Sequence, residues 1–411
     1  MGKSFFTSRW HRGILLESQS GRGLAKKGER FMKFRLFFLL GMLLFSLSNT
    51  YGEEFKGAPF PSLISSLRFS APLTFCDERV PIEIQDIGER LEKELLISLW
   101  DRPQVILWLK RSKRYLPYME KMLKEAELPD DLKYIAIAES ALRPHVSSTK
   151  GAKGFWQFMT DTGRRYGLTV NEYIDERRNL FASTQAAIGY FKDLHKKLGS
   201  WTLAAAAYNM GEQGVEAEIL EQGTDYYYHL YLPIETQRFV FRILSVKLIF
   251  SNPERYGFYL SEDDYYPPLV FDRIHLNGAQ DIPIRIIAQA AKTHFKVIKD
   301  LNPEIRGHYL TKGSHTILIP KGSAKGFSSR FEDLFKRWVE TKKERVYLVK
   351  KGDNLSLIAD RFNVPLAALI IWNKLDLKAH IYPGDQLIIY RQELQPAETE
   401  EEVPREGKED L

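Results

Sequence analysis

The sequence predicts a multidomain protein, with a mainly α-helical first half followed by small α+β modules. At 411 residues, and at about 150 residues per domain, two or three domains are expected. Between residues 82 and 251, apolar residues recur at spacings of three and four, the period of helices that bury one face. Beyond residue 265 the composition shifts to aromatic residues and prolines, and short alternating runs at 273–276 and 316–319 are typical of strands.

The composition excludes a wholly disordered protein and a multi-span membrane protein. Apolar residues make up 44% of the chain and charged residues 27%, which is ordinary for globular domains. The single cysteine, Cys76, cannot form an intrachain disulfide, and neither a metal site nor any other cofactor is predicted. Residues 1–52 contribute +7 to the net charge of +6, so the rest of the chain carries about −1. We therefore expect no nucleic-acid partner, and we expect a monomer.

A basic and apolar segment near the N-terminus predicts export. Lys33 and Arg35 precede an apolar run at 36–47, which small and polar residues follow, the pattern of a secretory signal peptide. The run is shorter than the roughly 20 residues that cross a bilayer as a helix. We expect translation from Met32, cleavage near Gly52 and a mature protein in the periplasm or cell envelope. Peripheral membrane association is expected only if the leader stays uncleaved.

The chain divides into seven predicted segments. They are a leader with its signal peptide (1–52), an N-terminal helical extension (53–106), a helical domain (107–255), a first α+β unit (270–322), a charged linker (323–344), a second α+β unit (345–391) and an acidic disordered tail (392–411). The two units show a faint repeat. The pairs Ile287-Ala288 and Leu301-Asn302 lie 71 residues before Ile358-Ala359 and Trp372-Asn373.

Glu139 is the strongest candidate for a catalytic residue. A helix is predicted to begin at Leu128-Pro129-Asp130-Asp131, since proline and acids suit a first turn, and to end at Arg143-Pro144. Along this helix Glu139 falls on the apolar stripe. An apolar setting raises the pKa of a carboxyl group, as a general acid working near neutral pH requires. The alternative is a structural ion pair between Glu139 and Arg143, four residues further on.

Three later segments offer binding surfaces. The stretch 151–159 combines glycines, which let the backbone approach a ligand, with aromatic stacking faces. An Ala-rich helix at 203–210 ends with Tyr208 and Asn209, and Tyr208 can equally be a core aromatic residue with a satisfied hydroxyl. The tyrosine-rich run 226–231 can stack on sugars or pack in the core.

These pieces, in this order, resemble a known family. Glu139-Ser140, Ser148, the string 151–159 and Ala207-Tyr208-Asn209-Met210-Gly211 are similar to the soluble lytic transglycosylase domain of the lysozyme superfamily, in the membrane-bound lytic murein transglycosylase D subgroup. The resemblance covers about residues 107–251. It implies a lysozyme-like fold. It also implies a lyase that acts on peptidoglycan glycan strands, cleaving the β-1,4 bond between N-acetylmuramic acid and N-acetylglucosamine with formation of 1,6-anhydromuramoyl ends.

The resemblance also implies roles for individual residues. Glu139 would protonate the glycosidic oxygen and then, as a base, take the proton of the muramoyl C6 hydroxyl, which attacks the anomeric carbon. A sugar-binding or sugar-orienting role is implied for Ser148, Gln157, Met159, Tyr208 and Asn209. Phe239 stands where the family usually has tyrosine, so a hydroxyl that could contact the reacting centre is missing.

The segment 345–391 resembles the βααβ LysM module, through its Gly-Asp-Asn-Leu turn, its Trp-Asn pair and its Ile-Tyr-Pro-Gly-Asp loop. That family binds polymers containing N-acetylglucosamine in a shallow groove. This implies glycan contacts from Asp353, Asn354, Leu355, Ile381 and Pro383. For Asn373 a buried, turn-stabilising role is the favoured alternative. The unit 270–322 resembles a degenerate LysM copy with a packing role.

Three functions remain open from the sequence. The first is a lytic transglycosylase held to the cell wall by LysM. The second is a muramidase of the same fold, which adds water and needs a second carboxylate near Glu139. The third is a non-catalytic peptidoglycan-binding scaffold, which is favoured only if Glu139 is locked in an ion pair with Arg143.

Overall fold

The computed structural model describes residues 61–69, 72–343, 346–376 and 379–390. The predicted leader, with its start at Met32 and its cleavage site near Gly52, lies outside these residues, and so does the predicted acidic tail at 392–411.

Residues 61–256 form a helical region, as the three- and four-residue spacing predicts. Its α-helices are α1 (Leu63–Ser66), α2 (Gln85–Trp100), α3 (Arg102–Glu125), α4 (Lys133–Ser140), α5 (Thr160–Arg165), α6 (Leu180–Leu198), α7 (Trp201–Met210), α8 (Glu212–Gln222) and α9 (Ile234–Ser251). An antiparallel hairpin of β1 (Thr74–Phe75) and β2 (Glu78–Arg79) precedes α2. Short 3-10 turns lie at Asp130–Leu132, Glu176–Arg178, Tyr227–His229, Glu254–Tyr256 and Glu262–Asp264.

Helix α9 organises the core of this region, since it packs against α2, α4 and α7. Apolar side chains of α9 such as Val240 and Leu244 are fully buried, and so are Leu91 and Leu95 of α2. Helix α2 therefore belongs to the core of the helical domain rather than to a separate N-terminal extension. The boundary predicted between residues 106 and 107 falls inside α3, because the apolar face of α3 continues across it to Val105.

Helix α4 ends three residues earlier than its sequence predicts. Ala141 and Leu142 take left-handed backbone conformations, with φ of 53° and 58°, which stop the helix at Ser140. Both side chains nevertheless stay buried. The apolar spacing thus continues beyond the last residue of the helix. For this reason the spacing could not predict the residue at which the helix ends.

Two βααβ units follow. In the first, β3 (Phe271–Gly278) pairs antiparallel with β6 (Gly313–Pro320) around α10 (Ile284–Ala290) and α11 (Phe295–Leu301), and the short strands β4 (Ile282–Pro283) and β5 (Tyr309–Leu310) also pair. In the second, β7 (Val346–Leu348) pairs antiparallel with β8 (Gln386–Ile388) around α13 (Leu355–Arg361) and α14 (Leu366–Asn373).

The asparagines of the faint repeat have the same structural role in both units. Asn302 donates to the carbonyls of Ile298 and Leu318 at 2.7 and 2.8 Å, and accepts from the Leu318 N–H at 2.8 Å. Asn373 donates to Leu369 and Ile388, both at 2.9 Å, and accepts from the Ile388 N–H at 2.6 Å. Each side chain therefore fixes the closing strand to the preceding helix, which confirms the repeat and the turn-stabilising role favoured for Asn373.

The segment predicted as a charged linker, 323–344, contains the helix α12 (Phe327–Lys343). Its aromatic residues at 327, 331, 335 and 338 stack in succession along one face, which packs on the first unit. Trp338 also donates a hydrogen bond to the Tyr390 hydroxyl at 3.0 Å. The charged residues had masked this stripe in the sequence.

The first unit also packs on the helical domain, as its predicted packing role requires. The Asp175 N–H donates to the Glu304 carbonyl at 2.9 Å, and the Arg306 N–H donates to the Tyr173 carbonyl at 2.8 Å. Within the described ranges, no single helix is long and apolar enough to span a membrane; the bent pair α13 and α14 passes only on length and composition.

Candidate active site

Glu139 lies in the last turn of α4 and is partly buried. Loss of hydration raises the pKa of its carboxyl group to about 7; the Arg242 guanidinium opposes this rise, and the Glu235 carboxylate adds to it. No ion pair or hydrogen bond joins the Glu139 side chain to any other residue that the structure describes. A proton on this group is therefore available near neutral pH.

The alternative ion pair with Arg143 is not formed. Arg143 is exposed, and its Nε donates to the Ser140 carbonyl at 3.3 Å. The left-handed residues that end α4 carry Arg143 away from the position that an uninterrupted helix would give it. Ser140 donates to the Ala136 carbonyl at 3.0 Å and so supports the helix end.

The start of α4 is fixed by an ion pair as well as by the helix dipole. Asp131 accepts from the Cys76 N–H at 2.7 Å and from the Lys247 ammonium at 2.6 Å. Lys247 in turn donates to the Thr74 carbonyl at 2.7 Å. Asp131 thus holds the hairpin, α4 and α9 together at the base of the helix that carries Glu139, a role that sequence reasoning had not assigned to it.

The loop 148–159 is shaped by Arg177, which is buried. Its guanidinium pairs with both oxygens of Asp175 at 2.8 and 2.9 Å, and donates to the Gly151 and Phe158 carbonyls at 3.1 and 3.2 Å. At Gly154, with φ +83°, a Cβ would lie 1.7 Å from the Arg177 carbonyl oxygen. The backbone of the loop can approach this turn only because residue 154 is glycine.

Three of the predicted sugar-binding residues lie on this loop. Gln157 has φ +49° and donates to the Gly154 carbonyl at 2.9 Å, and Ser148 accepts from the Ala152 N–H at 3.0 Å. These two side chains therefore also hold the loop in shape. Met159 is 45% exposed, so its thioether is available to a ligand.

Tyr208 and Asn209 come from the end of α7. The Tyr208 hydroxyl donates to the Trp156 carbonyl at 2.6 Å, and its ring stacks on Phe191 with centroids 4.9 Å apart. Burial and the nearby Glu139 raise the pKa of Tyr208 well above its usual value. Tyr208 is thus a packed aromatic residue with a satisfied hydroxyl, close to Glu139. The Oδ1 of Asn209 accepts from the Thr236 hydroxyl at 2.9 Å, which leaves its amide N–H groups for other partners.

Sequence reasoning gave no role to Glu78, Arg177 or Thr236. Glu78 caps the start of α7, since it accepts from the Ser200 hydroxyl at 2.8 Å and the Thr202 N–H at 2.9 Å. The partners of Glu78 and Thr236, and the loop carbonyls that Arg177 reaches, are distant in sequence, so spacing could not find them. The Asp-Glu-Arg-Arg run at 175–178 was the one available signal for Arg177.

Phe239 lies in the core on α9 and is 2% exposed. The tyrosine run divides between the two predicted roles. Tyr227 is buried and donates to the Gln237 carbonyl at 3.2 Å, whereas the Tyr231 side chain is 81% exposed.

In the second unit, Asp353 and Asn354 already have partners within the module. Asp353 accepts from the Tyr347 hydroxyl at 2.6 Å and from the Lys350 N–H at 2.9 Å, and pairs with Arg361 at 3.1 Å. Asn354 caps α13 through the Leu357 N–H at 2.9 Å.

The remaining glycan-contact candidates differ in exposure. Leu355 and Ile381 pack partly against the module core, whereas Pro383 is exposed. The two loops implied to form the groove lie side by side, since the Gly384 N–H donates to the Val349 carbonyl at 2.9 Å. Glycan binding by these residues stays a prediction. In the part of the chain that the structure describes, no group of three or more His, Cys, Asp or Glu side chains is placed to hold a metal ion.

Comparisons with known proteins identify two domains. Residues 117–230 match the transglycosylase SLT domain, and residues 347–389 match the LysM domain. The chain thus carries a mainly helical, lysozyme-like SLT domain followed by a LysM domain, as the sequence predicts.

Among individual relatives, the membrane-bound lytic murein transglycosylase D of Escherichia coli strain K12 is 32% identical over 294 residues, and the same protein of the O6:H1 strain CFT073 matches equally. The predicted resemblance to this subgroup is confirmed. The match covers 68% of this chain and 64% of each relative, so the chain spans less than two thirds of their length. Among solved structures, the 70 kDa soluble lytic transglycosylase of Escherichia coli is 18% identical over 44% of this chain and 30% of its own, with a TM-score of 0.30.

Proposed function

We propose that the protein is a peptidoglycan lytic transglycosylase, which cleaves the β-1,4 bond between N-acetylmuramic acid and N-acetylglucosamine and forms 1,6-anhydromuramoyl ends. The observation that carries this proposal is Glu139, a partly buried carboxyl group with a pKa raised to about 7 and without an ion-pair partner in the described chain. The SLT and LysM domains support the substrate class.

In the proposed mechanism Glu139 acts twice. The protonated carboxyl group donates its proton to the glycosidic oxygen as the bond to the anomeric carbon breaks. The resulting carboxylate then accepts the proton of the muramoyl C6 hydroxyl, whose oxygen attacks the anomeric carbon. This second transfer restores the starting carboxyl group, and no water is consumed. A pKa near 7 suits both steps, because the group can then give and take a proton at neutral pH.

The other predicted site residues would hold the sugar. The Asn209 amide is held by Thr236, and the exposed Met159 lies on the loop fixed by Arg177. We assign sugar orientation to these two residues and to Ser148, Gln157 and Tyr208. The LysM domain would hold the enzyme on the glycan and raise the local concentration of substrate without altering the chemistry. We also propose that the protein is exported to the periplasm or cell envelope, where this substrate lies.

A muramidase mechanism would need a second carboxylate. Among the acids that the structure describes, Glu235 is the one whose charge raises the pKa of Glu139, which makes it the candidate for activating water. Its side chain is mostly exposed, and it lies 4.0 Å from the Lys150 ammonium. Because Glu235 is so accessible to water, it lacks the loss of hydration that would strengthen its electrostatic effect on the reaction. We therefore favour the single-carboxylate mechanism.

The test uses purified sacculi and mass spectrometry of the released muropeptides. Wild type should release anhydromuramoyl products, and Glu139→Gln should lower the rate by about 10³-fold or more, because both proton transfers are lost. Glu221→Gln, at an exposed acid on α8, is the matched control and should keep full activity.

Glu235→Gln separates the two chemistries. Under the proposal it leaves the anhydro product unchanged. If wild type released products with reducing ends, and Glu235→Gln no longer did, the enzyme would be a muramidase instead. Release of glycan that persists in Glu139→Gln would refute both.

A further inference from the structure

A cavity of about 580 Å³ lies between the helical domain and the first βααβ unit. Its walls come from residues within 174–182 and from strands β3 and β6. They include none of the residues assigned above to sugar cleavage. The volume is within the range of about 300–1,000 Å³ that is typical of small-ligand sites. The charged and titratable residues that line it are Glu176, Glu304, Arg273, His275 and His315.

Glu304 presents an unsatisfied oxygen in this wall. Its side chain belongs to a residue that is 7% exposed, and its Oε2 is buried without a hydrogen-bond partner among the described residues. Burial raises the pKa of this carboxyl group to about 7, and the nearby Asn179 side chain opposes the rise. The nearby Lys299 ammonium is directed to the carbonyls of Ile305 and Gly307. A buried polar atom left unpaired is costly, and it indicates a missing partner that donates a hydrogen bond.

The cavity also contains a guanidinium group without an acidic partner. Arg273 is exposed, lies 4.6 Å above the centre of the Phe181 ring, and forms no ion pair with the described acids. The Nδ1 of His275 is 3.0 Å from the Thr316 hydroxyl, and the Nε2 of His315 is 2.8 Å from the Thr311 carbonyl. Glu304 can thus accept a hydrogen bond from a ligand, and Arg273 can bind a carboxylate.

The lining favours a peptide over a sugar. Sugar sites commonly present an open aromatic face, but Phe181 is the one phenyl, phenol or indole ring in this lining, and Arg273 covers it. A ligand that carries both an amino group and carboxylates can satisfy Glu304 and Arg273 together.

We propose that this cavity binds the peptide stem of peptidoglycan, with the amino or amide N–H groups of the stem on Glu304 and a stem carboxylate on Arg273. The inference rests on the proposed function, because it identifies the part of the same polymer that the enzyme holds outside the cleavage site. It makes the enzyme selective for glycan strands that keep their peptides.

The probe is the tetrapeptide L-alanyl-γ-D-glutamyl-diaminopimelyl-D-alanine, titrated into the full chain by isothermal titration calorimetry. Wild type should bind it, and Arg273→Gln and Glu304→Gln should each weaken binding at least tenfold. Lys325→Gln, at an exposed lysine outside the cavity, is the matched control and should bind as wild type does. Thermal melting of each variant checks that it is folded; Arg273 is exposed, so its variant remains informative even if Glu304→Gln unfolds.

Either of two results with the tetrapeptide would overturn the proposal: wild type that does not bind it, or a folded Arg273→Gln variant that binds it as tightly as wild type. Peptide-free glycan that binds wild type and loses affinity in the Arg273 variant would show a sugar site instead, and would also overturn it. Under the proposal, the Glu139→Gln variant binds the tetrapeptide as wild type does. Peptide binding by a wild type that releases nothing from sacculi would therefore refute the proposed function and leave the cavity site standing.

Discussion

At the residue scale, the properties of Glu139 come from two sources. Its place on the apolar stripe of α4 follows from helical spacing and could be predicted. The charges that adjust its pKa, Arg242 and Glu235, lie on α9, about a hundred residues further along the chain. No local pattern could show that these groups face Glu139, or that Arg143 does not.

The pH dependence of cleavage should follow the Glu139 proton. The acid step needs the protonated form, so kcat/KM should fall as pH rises through about 7, the pKa to which burial raises this group. Arg242 lowers that pKa, so Arg242→Gln should move the basic limb of the profile to higher pH. The measurement is kcat/KM on soluble muropeptides between pH 5 and 9. A basic limb that stays in place, or moves to lower pH, would contradict this account of the Glu139 environment.

At the element scale, the loop 148–159 shows how a helical domain positions irregular backbone. Its glycine and aromatic content was evident from the sequence, and so was the chance of close approach to a ligand. In the structure, however, the close approach at Gly154 is to the backbone of Arg177, within the protein itself. A glycine-rich pattern indicates that another group approaches the backbone closely, but it does not show whether that group is a ligand or another part of the protein.

Gly154→Ala should destabilise the protein by about 3 kcal/mol or more, because its Cβ would overlap the Arg177 carbonyl oxygen and its φ is left-handed. Gly151→Ala is the matched control: its φ is +90°, and no atom lies within 4 Å of the added Cβ, so only the backbone strain of about 1–2 kcal/mol is expected. Urea unfolding measures both, and equal losses would refute the close-contact argument.

Asn373→Ala should lower the stability of the second unit by about 2–4 kcal/mol, because the Ile388 backbone loses both of its bonds to this side chain. Hydrogen exchange at β8 would show the loss, and binding to sacculi should fall with it. Asn277→Ala, at an exposed position on β3, should change neither. Reduced binding with unchanged exchange protection would instead indicate that Asn373 contacts glycan directly.

At the scale of the whole molecule, the helical domain extends beyond the segment that matches the SLT family. Residues 117–230 omit α2, the start of α3 and α9, yet α2 and α9 pack together and supply fully buried side chains to one core. The first βααβ unit adds a further contact, since Ile305 forms a bridge with Ile174. The folding unit is therefore larger than the recognised domain.

A fragment of residues 117–230 should lack a cooperative thermal transition, because it leaves the apolar faces that pack against α2 and α9 in water. A fragment of residues 61–343, which keeps these helices, the first unit and the helix α12 that packs on it, should unfold cooperatively. Circular dichroism at 222 nm during heating checks both. A cooperative transition in the shorter fragment would show that α2 and α9 are dispensable.

The sequence by itself determined the helical first half, the two βααβ units, the family resemblance and the choice of Glu139, because each depends on periodicity or on motifs that are local in the chain. Only the tertiary structure decided that α2 joins the core, that 327–343 is a helix, that Arg143 leaves Glu139 unpaired, and that Glu304 faces a cavity with an unsatisfied oxygen. These features depend on contacts between residues far apart in sequence, and burial, on which every pKa shift here depends, is a property of the packed chain.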